Sequence, residues 1–245
     1  MSSTATDGPS AASPAHVGDP SPATEEGPAG EPAAGDGDAV TKPRRYRGRM
    51  PEERRAQRRR KLLDTGLELF AVEGYAKTSV EGICSTAGVT GRHFYEEFPG
   101  REALLVGVFD EIIDESYSRV VRAVADSPHD LTARLVAGVS AYMHYLLDDP
   151  RHARIVTVES VGISAEFETH RRESGAAFAT FIQGEALTLI AEGSSVHGNE
   201  LTVLALVAAI HELTASWLAH GQPMTIDALI AEGVRIIRAV ALAPA

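Results

Sequence analysis

Residues 78–98 read TSVEGICSTAGVTGRHFYEEF, and the stretch has the grammar of two short helices joined by a tight turn. Thr78 is placed to cap a first helix, with Glu81 three residues on, where its carboxylate reaches back to the cap's own N–H. Val80, Ile83 and Ala87 come next at helical spacing, and Gly88 stands where a left-handed residue stops a helix without steric cost. The turn falls at Gly88 and Val89. Thr90 then caps a second helix through Gly91, Arg92, His93, Phe94 and Tyr95, with Phe94 and Phe98 four apart on one face to grip a core. Pro99-Gly100 ends it. Such a pair, with polar residues opening its second helix, is a helix-turn-helix, which offers that opening to base edges in the major groove.

The charge distribution agrees. The net charge of −11 would, by itself, argue against a nucleic-acid partner. Yet residues 1–40 hold seven acids and no Lys or Arg, residues 41–101 hold fourteen Lys and Arg against eight acids, and residues 102–245 hold nine against nineteen. The positive field is confined to the segment around the helix-turn-helix, as expected of a DNA-facing end and a remote end that DNA repels.

Working outward, residues 1–41 are rich in Ala, Pro, Gly, Ser and acids with no periodic apolar face, and read as a disordered tail. Residues 42–101 form a basic arm and a DNA-binding domain. Lys42 to Lys61 holds eleven Lys and Arg, and Pro51 followed by Glu52 and Glu53 marks a helix start. Arg44, Arg45 and Arg47 are candidates for phosphate contact, which positions a protein on DNA and makes binding salt-dependent without reading sequence. Residues 102–245 read as a helical domain. A long helix from Glu102 to about Ala125 carries Leu104, Val108 and Ile112 on one stripe, and further helices are expected at about 131–148, 150–162, 165–192, 199–219 and 225–242, separated by Gly and Pro signals. The last two are apolar on more than one stripe, which suggests burial on two sides.

The single Cys84 forms no internal disulfide, no apolar run is expected to reach the roughly 18 residues that span a bilayer, and the acidic start does not look like a secretion signal. The expectation is a cytoplasmic protein without a membrane partner.

Thr78, Ile83, Ala87-Gly88-Val89-Thr90, Phe94-Tyr95, Phe98 and Arg101-Glu102-Ala103-Leu104 together resemble the DNA-binding domain of tetracycline-repressor-like (TetR/AcrR) transcriptional regulators. Cys84, Glu97 and Arg101 depart from that pattern: Ala is usual at the first, His or another neutral residue frequent at the second, and Lys usual at the third. The resemblance implies an all-α fold, an N-terminal three-helix head on a C-terminal helical domain that binds an effector and dimerises. It also implies phosphate contacts by Tyr95, Thr78 and Arg101, a homodimer through the last two helices, and release from a palindromic operator on double-stranded DNA when a small-molecule effector binds.

From the residues themselves, Arg92 is the candidate base reader, since a guanidinium pairs bidentately with guanine, with phosphate as the rival partner. His93 can meet a base edge or phosphate, Gly91 allows close backbone approach, and Thr90 offers a hydroxyl at an anion-attracting helix start. An effector pocket needs an apolar wall with a few polar anchors, for which Tyr142, Tyr145, Glu159, Phe178, Phe181, His211 and Trp217 are candidates. Glu166 and His170 are spaced as two metal ligands would be, but a solvent-facing salt link is the plainer reading. There is no Cys/His ligand set, nucleophile elbow or phosphate-cradling loop, so no catalytic residue, metal or cofactor is expected. The alternatives are a helical DNA-binding protein without an effector, architectural or constitutive, and, with less support, a small helical enzyme.

Overall fold

The computed structural model describes residues 51–191 and 200–241, and these are all-helical. The basic residues Arg44, Arg45 and Arg47 and the acidic tail lie outside the described residues. Helix α1 (Pro51–Val72) begins with Pro51 and the acids Glu52 and Glu53 in its first turn, as expected. It buries Leu62, Leu63, Phe70 and Ala71 and stops before Gly74, whose φ of 90° is open to glycine without strain. Helices α2 (Val80–Ala87) and α3 (Gly91–Glu97) come next, then the long α4 (Arg101–Ala125).

The body continues with α5 (Leu131–Asp148), capped by the Asp130 carboxylate on the Ala133 N–H, and α6 (Pro150–Arg154), capped by Asp149. The segment expected to be one helix over 150–162 instead widens into a π-helical turn, Ile155–Glu159, and ends at Gly162, which has φ 72°. Ser160 is fully buried there and returns its hydroxyl to the Val156 carbonyl at 2.9 Å. Helices α7 (Ala165–Ala191), α8 (Glu200–Ala219) and α9 (Ile226–Ala241) complete the chain.

Helix α4 joins the two ends of the molecule, packing against α1, α5 and α7. Its buried stripe runs Leu104, Leu105, Val108, Phe109, Ile112, Val120 and Val124. The crossing with α1 is made close by two glycines. A Cβ on Gly66 would stand 3.1 Å from Leu104 and 3.2 Å from Val108, and one on Gly107 would stand 3.1 Å from Leu63 and 3.2 Å from Phe98. At the far end α9 buries Leu229, Ile230, Val234 and Ile237 against α5 and α8.

Helix α8 departs from expectation. Ile210, Thr214 and Trp217 are buried, but Leu201 and Leu204 are 72% and 43% exposed. The span Leu201–Ala219, with mean hydropathy 1.6, is long and apolar enough to cross a membrane by length and composition, and only 17% of it is buried. The expectation that no run reaches that length fails because His211 and Glu212 interrupt the stretch without lowering its average enough.

The α1–α4 crossing predicts that Gly66→Val, which forces methyl groups onto Leu104 and Val108, destabilises the protein by about 1–3 kcal/mol. Urea unfolding should show a lower midpoint with an unchanged slope.

Candidate nucleic-acid interface

The head is assembled from its caps. The side chain that caps α2 is Ser79, which accepts from the Gly82 N–H at 3.0 Å, and the helix therefore starts one residue later than Thr78 would have it. Glu81 then occupies the second helical position, out of register for a reciprocal capping box. Thr78 is 2% exposed and donates its hydroxyl to the Gly74 carbonyl at 2.9 Å, so its side chain faces the interior. Gly88 adopts φ 63°, ψ 38°, and its N–H and that of Val89 close the end of α2 onto Cys84 and Ser85. Cys84 sits half-buried, its thiol pKa raised by burial and by the Glu81 charge.

Thr90 caps α3 as expected, accepting from the His93 N–H at 3.4 Å, and its hydroxyl also lies 3.1 Å from His93 Nδ1. Phe94 and Phe98 are buried, with ring centroids 6.1 Å apart, and anchor α3 to the core. This anchoring turns outward the face of α3 that carries Arg92 and Tyr95. Arg92 is 87% exposed, Tyr95 is exposed and packs its ring edge-on to Phe94 at 5.3 Å, and Gly91 is exposed with open space where a Cβ would be. His93 is half-buried. Thr90, Gly91, Arg92, His93 and Tyr95 are thus brought together at one end of one helix.

Arg101 stands apart from them. Its Nη1 donates to the carbonyls of Thr78 at 2.6 Å and Tyr75 at 3.1 Å, with Ala76 at 3.5 Å, while its guanidinium lies 4.2 Å from the centre of the Tyr75 ring. Its charge is spent on the loop between α1 and α2. Glu97, adjacent in sequence to an exposed acid, is itself turned inward: 2% of its side chain is exposed and both its oxygens accept from Arg55 Nε, at 3.0 and 3.2 Å.

The candidate effector residues divide. Tyr142, Phe178, Phe181 and His211 gather in the body: the Tyr142 and Phe178 rings are 5.5 Å apart, and the Tyr142 hydroxyl meets His211 Nε2 at 2.5 Å. Tyr117 of α4 completes the group, 5.9 Å from Phe178 and 5.4 Å from Phe181. Its signal in the sequence is only its position eight residues after Phe109 on one helical stripe. Burial and the nearby Arg171 charge push the His211 pKa down to about 4, and burial pushes the Tyr142 hydroxyl up.

Tyr145, Glu159 and Trp217 are elsewhere. Trp217 donates its indole N–H to the Met224 carbonyl at 2.9 Å, holding the α8–α9 turn. Glu159 reaches the head, accepting from the Tyr75 N–H at 2.8 Å and from Arg154 at 3.1 Å. Tyr145 of α5 lines a groove of about 440 Å³ between α1, α4, α5 and α6, with Leu67, Ile112 and Asp114 among its walls. Within it Glu111 is paired with Arg60 at 2.8 Å, and Glu115 with Arg119 at 2.7 Å. His170 pairs with Asp110 of α4, not with Glu166, and among the described residues no group of His, Cys, Asp and Glu could hold a metal ion.

Head and body together define an all-helical protein of the helix-turn-helix class. Residues 62–108 match the family described as bacterial regulatory proteins, tetR family. The HTH-type transcriptional regulator EthR of Mycolicibacterium smegmatis is 29% identical over 107 residues, covering 44% of this chain and 49% of that one. YuxN, an HTH-type transcriptional regulator of Bacillus subtilis, is 35% identical over 69 residues, 27% of this chain and 24% of that one. The chain thus spans about half or less of the length of these relatives. Among solved structures, the fatty acid degradation regulator FadR from Bacillus halodurans has a TM-score of 0.68 at 16% identity, covering 78% of this chain and 96% of that one. FadR from Bacillus subtilis, solved in complex with stearoyl-CoA, has 0.67 at 20% identity, covering 73% and 96%. At these identities the likeness is one of fold. The resemblance carried by Thr78 to Leu104 falls inside the matched stretch: over residues 62–108 the chain is similar to the tetR family, and beyond it the likeness is one of fold.

These placements have measurable outcomes. Arg101→Ala removes a charged donor from partly buried carbonyls and should cost about 1.5–3 kcal/mol in stability, whereas Arg92→Ala should stay within about 0.5 kcal/mol, both read by urea unfolding. His211 titrates near 4 when folded and near 6.5 when unfolded, so the unfolded chain binds the extra proton between those values. Stability is therefore lost as pH falls from about 6.5 to about 4, by up to about 2–3 kcal/mol for a ring that is not fully sealed. His211→Gln should flatten this acid limb relative to the parent when unfolding midpoints are compared at pH 7 and pH 4.5.

Proposed function

We propose that the protein is a sequence-specific DNA-binding transcriptional regulator, acting in the cytoplasm as a homodimeric repressor that leaves a palindromic operator when a small-molecule effector binds its body. The observation that carries this reading is the outward presentation of Arg92 and Tyr95, beside the exposed Gly91, on a helix whose Phe94 and Phe98 are locked in the core. Arg92 reads a base, Tyr95 and Thr90 contact phosphate, and Gly91 lets the backbone approach. Arg44, Arg45 and Arg47 add phosphate contacts from the basic arm. Thr78 and Arg101 act indirectly, by holding the loop in front of α2.

The exposed leucines of α8 support the dimer. An apolar helix with so little of its span buried needs a cover, and a second copy related by a two-fold axis supplies an identical face. Two heads then meet half-sites about one DNA turn, roughly 34 Å, apart. The aromatic group of Tyr117, Tyr142, Phe178, Phe181 and His211 is the proposed effector region, with an apolar wall and a hydroxyl–imidazole pair as anchor. Binding there to the form whose heads are wrongly spaced draws the population off DNA. That FadR of Bacillus subtilis was solved with stearoyl-CoA lends support to a ligand-binding body in this fold. A role as a regulator, and not as an enzyme, is in keeping with the relatives' names.

Selection of bound fragments from random DNA should recover a palindrome whose half-sites are about 10 base pairs apart, and Arg92→Ala should cost about 1–3 kcal/mol per half-site and relax preference at one base pair. Recovery of unrelated sequences in place of a palindrome would remove the sequence-specific reading.

A further inference from the structure

Helix α3 carries two neighbouring acids with opposite fates. Glu97 is hidden and neutralised by Arg55, whereas Glu96 is 43% exposed and accepts from Arg92 Nε at 3.1 Å, one helical turn along the outward edge. The fold does not need this second pair, because both side chains are solvated and such a surface pair adds little to a helix. On the edge that meets DNA, a carboxylate also works against binding, since it repels phosphate.

The chemistry of the guanidinium supplies a reason. Arg92 has five N–H donors, and with Nε engaged by Glu96 its two terminal nitrogens remain as a fork of the shape that matches guanine O6 and N7. An untethered arginine at a helix start sweeps a wide arc and reaches backbone phosphates as readily as base edges. A partner one turn away narrows that arc and makes a swing toward phosphate costlier, because it leaves the carboxylate unpaired in a negative field.

We infer that Glu96 is a positioning residue for sequence discrimination: it holds Arg92 in base-reading orientation and penalises its use as a phosphate anchor. Total affinity is lowered and preference is raised, as when a repulsive element is built against wrong partners. This rests on the proposed DNA-binding function.

The test uses the full chain and three DNAs: the recovered palindrome, the same palindrome with the base pair under Arg92 exchanged, and random-sequence duplex, each titrated over a series of KCl concentrations. The proteins are the parent, Glu96→Gln, Glu96→Ala, Arg92→Ala and the double variant, each checked for an unchanged thermal unfolding midpoint. Glu96→Ala should bind random duplex several-fold more tightly, with a salt dependence steeper by about one phosphate contact per half-site. Its preference for the correct base pair should fall at least about fivefold, and Glu96→Gln, which keeps an acceptor without the charge, should fall less. In the Arg92→Ala background the Glu96 change should leave preference unmoved. An unchanged preference in Glu96→Ala, where Arg92→Ala does lose it, overturns the inference while leaving the regulator reading intact. A parent protein that prefers no site overturns both.

Discussion

The short loop between α1 and α2 is the fixed point of the head, and one guanidinium fixes it. Arg101, the first residue of α4, gathers the carbonyls of Thr78 and Tyr75 and stacks on the Tyr75 ring, while the Thr78 hydroxyl closes the same loop onto Gly74. Carbonyls that face inward in a loop need donors, and a charged planar donor satisfies several at once. The position of α2, and through the Gly88 turn that of α3, is set by this clamp. Side chains turned inward on this loop in this way govern where α3 points.

The same loop is gripped from the other side by the body, through the Glu159 carboxylate on the Tyr75 N–H. Together with the glycine crossing of α1 and α4, it leaves the head little freedom to tilt without disturbing the body. Interiors packed at this density shift between discrete arrangements and do not flex smoothly. A repressor of the proposed kind needs that property, because a small ligand many ångströms from DNA must be felt as a change of head spacing.

Much of this is legible in the sequence because local rules dominate in helical proteins. Gly88, Thr90 and the Phe94–Phe98 pair announce the turn, the cap and the anchored face, and Pro150 and Gly221 bound helices where they are expected. The misses have a common cause. Whether Thr78 or Ser79 caps α2 depends on which hydroxyl faces inward, and that is decided by Gly74 and Leu69, residues from another helix and loop. The effector candidates share only being polar or aromatic within apolar helices, a pattern common to residues with quite different tasks. Tyr142 and His211 meet across 69 positions, Glu159 is drawn to the head 84 positions away, and Trp217 serves a turn seven residues on. Separations of the first two kinds are invisible to periodicity, and the π-helical turn that aims Glu159 has no sequence signal comparable to a cap.

That widened turn has a consequence for how the chain tolerates change in length. It holds Ile155–Glu159 off the ordinary helical repeat, and each residue added or removed rotates the downstream side chains by about 100°. Losing one residue between Val156 and Val158 would swing the Glu159 carboxylate away from Tyr75 while leaving every other side chain of the body chemically intact. Insertions and deletions that a surface loop absorbs would, in these five positions, uncouple the two halves of the molecule.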